Sequence, residues 1–212
     1  MKSKKIRIKR KDNNWKKIIF LVLTIVVLVL IFFISKKLFK NNKSGDNMNS
    51  QEIVDYILNI NSYKAKIYVE VTSNKNSNKY VINQEYNTEN GDVEEIIEPS
   101  NISGVKIIKQ NNTLKLENSN LNLDTVFENY NELGENCLDL SSFIKDYRDS
   151  SKSGFTEKNN QIIMNTENNE KIYNKNKSLY IDRSTLLPVK LIIKDNNQKT
   201  TINIQYNEIV FN

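Results

Sequence analysis

The sequence predicts a mainly β domain with α (α+β), built on a curved antiparallel sheet and preceded by one transmembrane helix. Three observations predict it. Residues 18–34 are an unbroken run of 17 residues in which only Thr24 is polar. Beyond residue 62 the apolar period switches from 3.6 to 2, the change from helix to half-buried strand. Asn-rich turns then recur at short intervals, which is the spacing of hairpins rather than of βαβ units.

At 1.5 Å per residue the apolar run spans about 26 Å, against a hydrocarbon core of about 30 Å. Trp15 sits at the interface, and Lys16, Lys17, Lys36 and Lys37 can extend outward from it. Nine Lys/Arg precede the run and four follow it closely, so the N-terminal side is expected in the cytoplasm and residues 35–212 outside. Neither a small-x-small cleavage site nor a lipobox Cys follows, and an uncleaved signal anchor is expected. The chain then divides into a basic cytoplasmic tail (1–17), a span (18–34), a flexible tether (35–50) and an extracytoplasmic domain (51–212).

That domain opens with a short helix. Asn49 is the expected N-cap, Glu52 completes a capping box, and Ile53, Val54, Ile57, Leu58 and Ile60 form the apolar stripe. Tyr63, Ala65, Ile67, Val69 and Val71 then alternate with Lys64, Lys66, Tyr68, Glu70 and Thr72, a strand with one face in a core. Tyr80–Tyr86, Val93–Ile97, Val105–Lys109 and Leu114–Glu117 are expected to follow as strands. Leu140, Phe143, Ile144 and Tyr147 recur at i, i+3, i+4 and i+7, so a second helix is inserted after about five strands. Gln161–Asn165, Lys171–Tyr173, Leu179–Asp182, Val189–Lys194 and Thr201–Phe211 complete the sheet. Asn tolerates the left-handed conformation, so pairs such as Asn111–Asn112 stand in for the rare Gly.

Composition excludes many activities. The chain has no His, one Cys and five Gly. Ser-His and Cys-His catalysis, His metal ligands, a disulfide and a Gly-rich phosphate loop therefore cannot be built. The net charge of +6 is unevenly placed: residues 1–50 carry 13 Lys/Arg and two acids, residues 51–212 carry 18 and 23. The domain is mildly acidic, and no nucleic-acid partner is expected.

The element order resembles the LolA/LolB-like lipoprotein-localisation fold, most clearly in Leu179-Tyr180-Ile181-Asp182, Leu187-Pro188-Val189-Lys190, Asp195-Asn196-Asn197 and the closing strand Ile202–Phe211. Within that superfamily the chain is similar to the GerS and GerS-related germination proteins of spore formers. The stretches that carry this are Ser62-Tyr63-Lys64-Ala65-Lys66, Ser73-Asn74-Lys75-Asn76, Glu98-Pro99-Ser100-Asn101-Ile102 and Leu140–Tyr147. The resemblance implies an incomplete β-barrel with helices over its open side. It also implies a non-enzymatic partner of a spore-cortex amidase that makes muramic lactam, in the forespore or mother-cell membrane. Two alternatives stand beside it: a lipid or lipoprotein carrier, less favoured because a tethered carrier cannot shuttle, and an envelope sensor.

No residue is assigned a catalytic, metal or cofactor role, no cofactor is expected, and the partner-binding residues are unknown at this level. Cys137 has no base and reads as a small buried side chain. Glu94 and Glu95 face opposite sides of a strand and read as solvated edge charges. Asp146 and Asp149 share a helix face at i, i+3 without a calcium-loop pattern, and also read as solvated. Tyr63, Tyr80, Tyr86, Tyr130, Tyr147, Tyr173, Tyr180 and Tyr206 read as barrel packing rather than the lining of a ligand cavity.

Overall fold

The computed structural model of the chain describes residues 47–73, 75–110, 112–129, 138–167 and 176–212. The basic tail, the span at 18–34, most of the tether, Cys137, Tyr130, Tyr173 and the strand expected at Lys171–Tyr173 lie outside them. No helix among the described residues is long and apolar enough to cross a membrane.

Helix α1 (Ser50–Leu58) begins as the sequence predicts: Glu52 N donates to Asn49 Oδ1 (3.0 Å) and Asn49 N to Glu52 Oε2 (2.7 Å). The pair satisfies two N–H groups that a helix start leaves unbonded. Ile53, Val54 and Ile57 are buried. Met48 packs against the core and its carbonyl accepts from Arg183 (2.8 Å), so the folded unit takes in the last residues of the expected tether.

The strands are β1 (Ser62–Thr72), β2 (Ser77–Asn87), β3 (Gly91–Glu98), β4 (Lys106–Gln110), β5 (Thr113–Asn118) and β6 (Leu123–Phe127). Helix α2 (Leu140–Asp149) follows, and then β7 (Gly154–Lys158), β8 (Gln161–Glu167), β9 (Asn176–Asp182), β10 (Pro188–Lys194) and β11 (Thr200–Phe211). All pairs are antiparallel in one sheet, ordered β6-β5-β4-β3-β2-β1-β11-β10-β9-β8-β7. The sheet is open, with β6 and β7 as its edges. Register shifts at Lys66/Ile67, Val81/Ile82, Pro188/Lys190 and Ile193/Lys194 bend it, as bulges do. The Asn turns behave as predicted: Asn159 and Asn160 both take positive φ (52° and 60°) between β7 and β8, as does Asn112 (66°) between β4 and β5.

Two strands were not expected from the sequence, and α2 therefore follows six strands rather than five. β6 is exposed on both faces after its first residue, and β7 has only Phe155 as a large apolar residue, so neither shows an apolar/polar alternation. β2 also starts at Ser77, inside the expected turn Ser73–Asn78.

Both helices lie on the inner face, and both contact β8. The core joins Ile53, Val54 and Ile57 of α1 and Leu140, Phe143 and Ile144 of α2 to alternate residues of β1 and β8–β11, with Ile82 of β2. Each such aliphatic side chain contributes about 1.5–3 kcal/mol on burial. Among the described residues, none between 91 and 127 belongs to this cluster. Strands β4–β6 thus form a wing beyond the core.

Candidate functional site

Register decides which polar side chains enter the interior. On the inner face Tyr63 and Ala65 of β1 stand opposite Tyr86 and Gln84 of β2, which stand opposite Asp92 and Glu94 of β3. Asp92 in turn faces Lys109 of β4. This polar row meets the first turn of α2, and the two halves interlock there.

Asp139 is the N-cap residue of α2, yet its side chain makes no capping bond. Its carboxylate is engaged by the sheet instead: Oδ2 pairs with Lys109 Nζ, and Oδ1 accepts from Gln84 Nε2 (3.5 Å). The orphan N–H of Leu140 donates to the Tyr63 hydroxyl (3.2 Å), and Ser141 Oγ donates to Asp92 Oδ1 (3.1 Å). Glu94, 1 % exposed, accepts from Gln84 Nε2 (2.9 Å) and lies 3.7 Å from Lys109 Nζ.

Three carboxyl groups thus share one ammonium in a low-dielectric site. Burial and the Asp139 charge push Glu94 up to about 8, and the same two causes raise Asp92 to about 6. Burial alone would lower Lys109, but Asp139 and Glu94 outweigh it and raise the ammonium. At neutral pH Glu94 therefore holds a proton beside the Lys109–Asp139 pair.

The rest of α2 is fixed to the opposite side of the sheet. Lys177 of β9 pairs with Asp146 (2.6 Å) and donates to Ser142 Oγ (3.1 Å), while Thr166 Oγ1 of β8 donates to the Asp146 carbonyl (3.1 Å). Ser153 Oγ donates to the Tyr147 carbonyl (2.6 Å), and Arg148 reaches the carbonyl of Leu58 in α1. Helix α2 is thus a strap across the open sheet, clamped on β2–β4 at its start and on β8–β9 further along.

This arrangement positions a helix. Its acids are enclosed, and Lys109 occupies the place a cation would take. Among the described residues no group of His, Cys, Asp and Glu is disposed to hold a metal ion.

The wing offers a different kind of surface. Leu121 is 51 % exposed, Val126 56 % and Phe127 37 %, three large apolar side chains within seven consecutive residues. Lys115, Glu117 and Asp124 form ion pairs beside them. Val126 and Phe127 are successive residues of the edge strand β6, so apolar area is exposed on both of its faces beside the open edge.

The profile of the family described as "Sporulation protein YdcC-like" matches residues 16–212. The chain belongs to the YdcC-like sporulation protein family. The match begins ahead of the apolar run and covers the whole sheet. A search of curated proteins finds no match. Among solved structures, a chain of the CwlD amidase from Clostridioides difficile in complex with the GerS lipoprotein is similar at 20 % identity and a TM-score of 0.50, over 81 % of this chain and 99 % of that one. An uncharacterized conserved protein from Thermus thermophilus is similar at 10 % identity and 0.48, over 77 % and 87 %. A LolA superfamily protein, NE2245 from Nitrosomonas europaea, is similar at 9 % identity and 0.46, over 78 % and 94 %. The family is thus a sporulation family and the fold is shared with the GerS–CwlD structure, in keeping with the resemblance carried by the sequence.

Several residues singled out in the sequence sit elsewhere than expected. Glu94 is enclosed rather than solvated, because β3 lies inside the sheet between β2 and β4. The opposed facing of Glu94 and Glu95 holds, with Glu95 opposite Lys106 on the outer face. Asp146 is buried against Lys177 while Asp149 is exposed. Tyr63 and Tyr206 pack in the interior, and Tyr63 also serves as a cap for α2. Lys177 was not singled out, yet it lies in phase with Leu179 and Ile181, and that alternation places it inward.

Proposed function

We propose that this chain is a membrane-anchored, non-catalytic binding protein of spore formation, whose outward-facing domain holds a cell-wall enzyme with the chemistry of a spore-cortex amidase. Residues 1–17 lie in the cytoplasm, 18–34 cross the membrane of the forespore or mother cell, and 51–212 present the wing to the partner. The observation that carries the reading is the wing itself. Its strands add no residue to the main apolar cluster, and Leu121, Val126 and Phe127 are exposed on and beside a sheet edge. Apolar side chains kept exposed along an edge strand support a binding role. Membership of a sporulation family supports the setting, and the amidase partner of GerS supports the kind of enzyme.

The interior favours protein binding over lipid carriage. An acyl chain would have to displace Phe143 and Ile144 and lie against the Lys177–Asp146 and Lys109–Asp139 pairs. Deleting the chain from a spore former tests the proposal. Spores are expected to form, to contain less muramic lactam and to germinate slowly. Normal cortex chemistry in the deletion strain overturns it. Lipid recovered with the purified protein would then support the carrier, and its absence the sensor.

A further inference from the structure

The outer face of the sheet carries a second surface, on strands other than those of the wing. Tyr68 and Glu70 of β1, Lys79 and Val81 of β2, and Asn203 and Gln205 of β11 alternate with the buried Val69, Ile82 and Ile204, and so face outward. Register sets them in two rows, Gln205–Tyr68–Val81–Glu98 and Asn203–Glu70–Lys79. Together they line a groove of about 320 Å³, at the lower end of the range of about 300–1,000 Å³ for ligand clefts. Two bulges flank the groove at one level: the shifts at Lys66/Ile67 against β11 and at Val81/Ile82 against β3 meet where Ile67 pairs with Ile82. Bulges re-aim side chains and recur next to active sites.

We propose that this groove binds a glycan strand, a β-1,4-linked chain of N-acetylhexosamines such as a cell wall presents. Tyr68 is 43 % exposed, and its ring meets no other ring or cation among the described residues. Tyr180, further along the same row, is by contrast covered by the Lys190 ammonium at 4.2 Å. A pyranose ring has an apolar face that fits such an open aromatic ring. Gln205 is exposed opposite Tyr68, and Asn203 Oδ1 is enclosed without a hydrogen-bond partner, so this amide gains by turning toward a donor in the groove. An acetamido group both donates and accepts, as each of these side-chain amides does. The same lining disfavours other ligands. β1, β2 and β11 are paired on both sides and offer no open backbone to a peptide strand. Lys79 is the single cation lining the groove and lies 3.9 Å from Glu70; with Glu98 also present, the charge repels polyanions. Tyr68 and Val81 are the outward-facing apolar side chains, too small a surface for an acyl chain. The ligand class follows from the groove, whereas the wall as its source rests on the outward-facing placement proposed above. One anchored domain would then hold the enzyme by its wing and the wall strand by its outer face.

Titration of the full chain with the β-1,4-linked tetramer of N-acetylglucosamine, followed by NMR in a detergent without sugar headgroups, tests the site. The native chain is expected to bind with a Kd below about 1 mM. Backbone shifts are expected to change at 68–70, 79–81 and 203–205 and to stay fixed at 106–127, which locates the site without any variant. Tyr68→Ala is expected to weaken binding by about tenfold or more, and Tyr68→Phe to retain it, because stacking needs the ring and not the hydroxyl. Cellotetraose, which lacks acetamido groups, is expected to bind more weakly. The site is overturned by no binding at about 10 mM tetramer, by shift changes confined to other residues, by an unchanged Kd in Tyr68→Ala, or by cellotetraose binding as tightly. Phe127→Asp on the wing is expected to leave the Kd unchanged, and no protein partner enters the measurement. Failure of the glycan site is therefore distinct from failure of the binding role given to the wing.

Discussion

Lys177 Nζ lies 2.6 Å from Asp146 Oδ2, with the two side chains 0 % and 3 % exposed, and this contact ties the middle of α2 to β9. A buried pair adds little over well-packed apolar residues, but breaking it leaves a charge in the core. Lys177→Met is therefore expected to destabilise the domain by about 3–5 kcal/mol. The double change Lys177→Met with Asp146→Leu should recover most of that. Urea unfolding of the single and double variants measures both. A single variant as stable as the native chain would contradict the role given to the pair.

Gly91 gives a second expectation. It takes φ +80° at the start of β3, and a Cβ there would lie 2.0 Å from the backbone oxygen of Lys109. Gly91→Ala meets both a strained conformation and a backbone clash. The loss is expected to exceed about 1 kcal/mol, read as a lower Tm, with weakened protection of β3 and β4.

The pH dependence of stability has a definite sign. Glu94 rises from 4.5 to about 8 on folding and Asp92 from 3.8 to about 6. Between those values the folded chain holds protons that the unfolded chain has released, so stability falls as pH rises. The fall begins near pH 4, gains most of its extent from Glu94, and ends near pH 8. Lys109, also raised, keeps its proton throughout that window. The Tm is expected to be higher at pH 5 than at pH 8.5, and Glu94→Gln should remove most of the slope. A Tm that rises over this window would contradict the assignment of the proton.

Much of the fold was legible because it rests on local periodicity. The capping box at Asn49 and Glu52, the alternation from Tyr63 to Val71 and the stripe Leu140–Tyr147 each carry their own signal. β6 and β7 carry none, since an edge strand exposed on both faces has no apolar phase to read. The polar clamps were harder for a different reason. That Glu94 points away from Glu95 follows from the pleat, but whether that direction is inward depends on β4 covering β3. Lys177 could have been found by extending the Leu179–Ile181 phase two residues back. Its partner Asp146 lies one helical turn beyond Phe143, on the margin of the apolar stripe, where wheel position alone does not separate buried from solvated.

The proposed membrane topology rests on the nine basic residues ahead of the apolar run and four behind it. A reporter active only outside the cytoplasm, fused after Asn212, is expected to work, and one active only in the cytoplasm is not. The reverse pattern would place the wing on the wrong side for any cell-wall partner.

The most direct measurement is site-specific photocrosslinking in sporulating cells, with the probe placed at Val126 on the exposed wing and, as a control, at Tyr180 on the outer face of β9. The account predicts that the Val126 probe captures a cell-wall amidase and the Tyr180 probe does not. Phe127→Asp should reduce the capture by about tenfold, the loss of roughly 1.4 kcal/mol that defines an energetically important contact. Equal capture at both positions, or no amidase at Val126 in cells that make one, would contradict it.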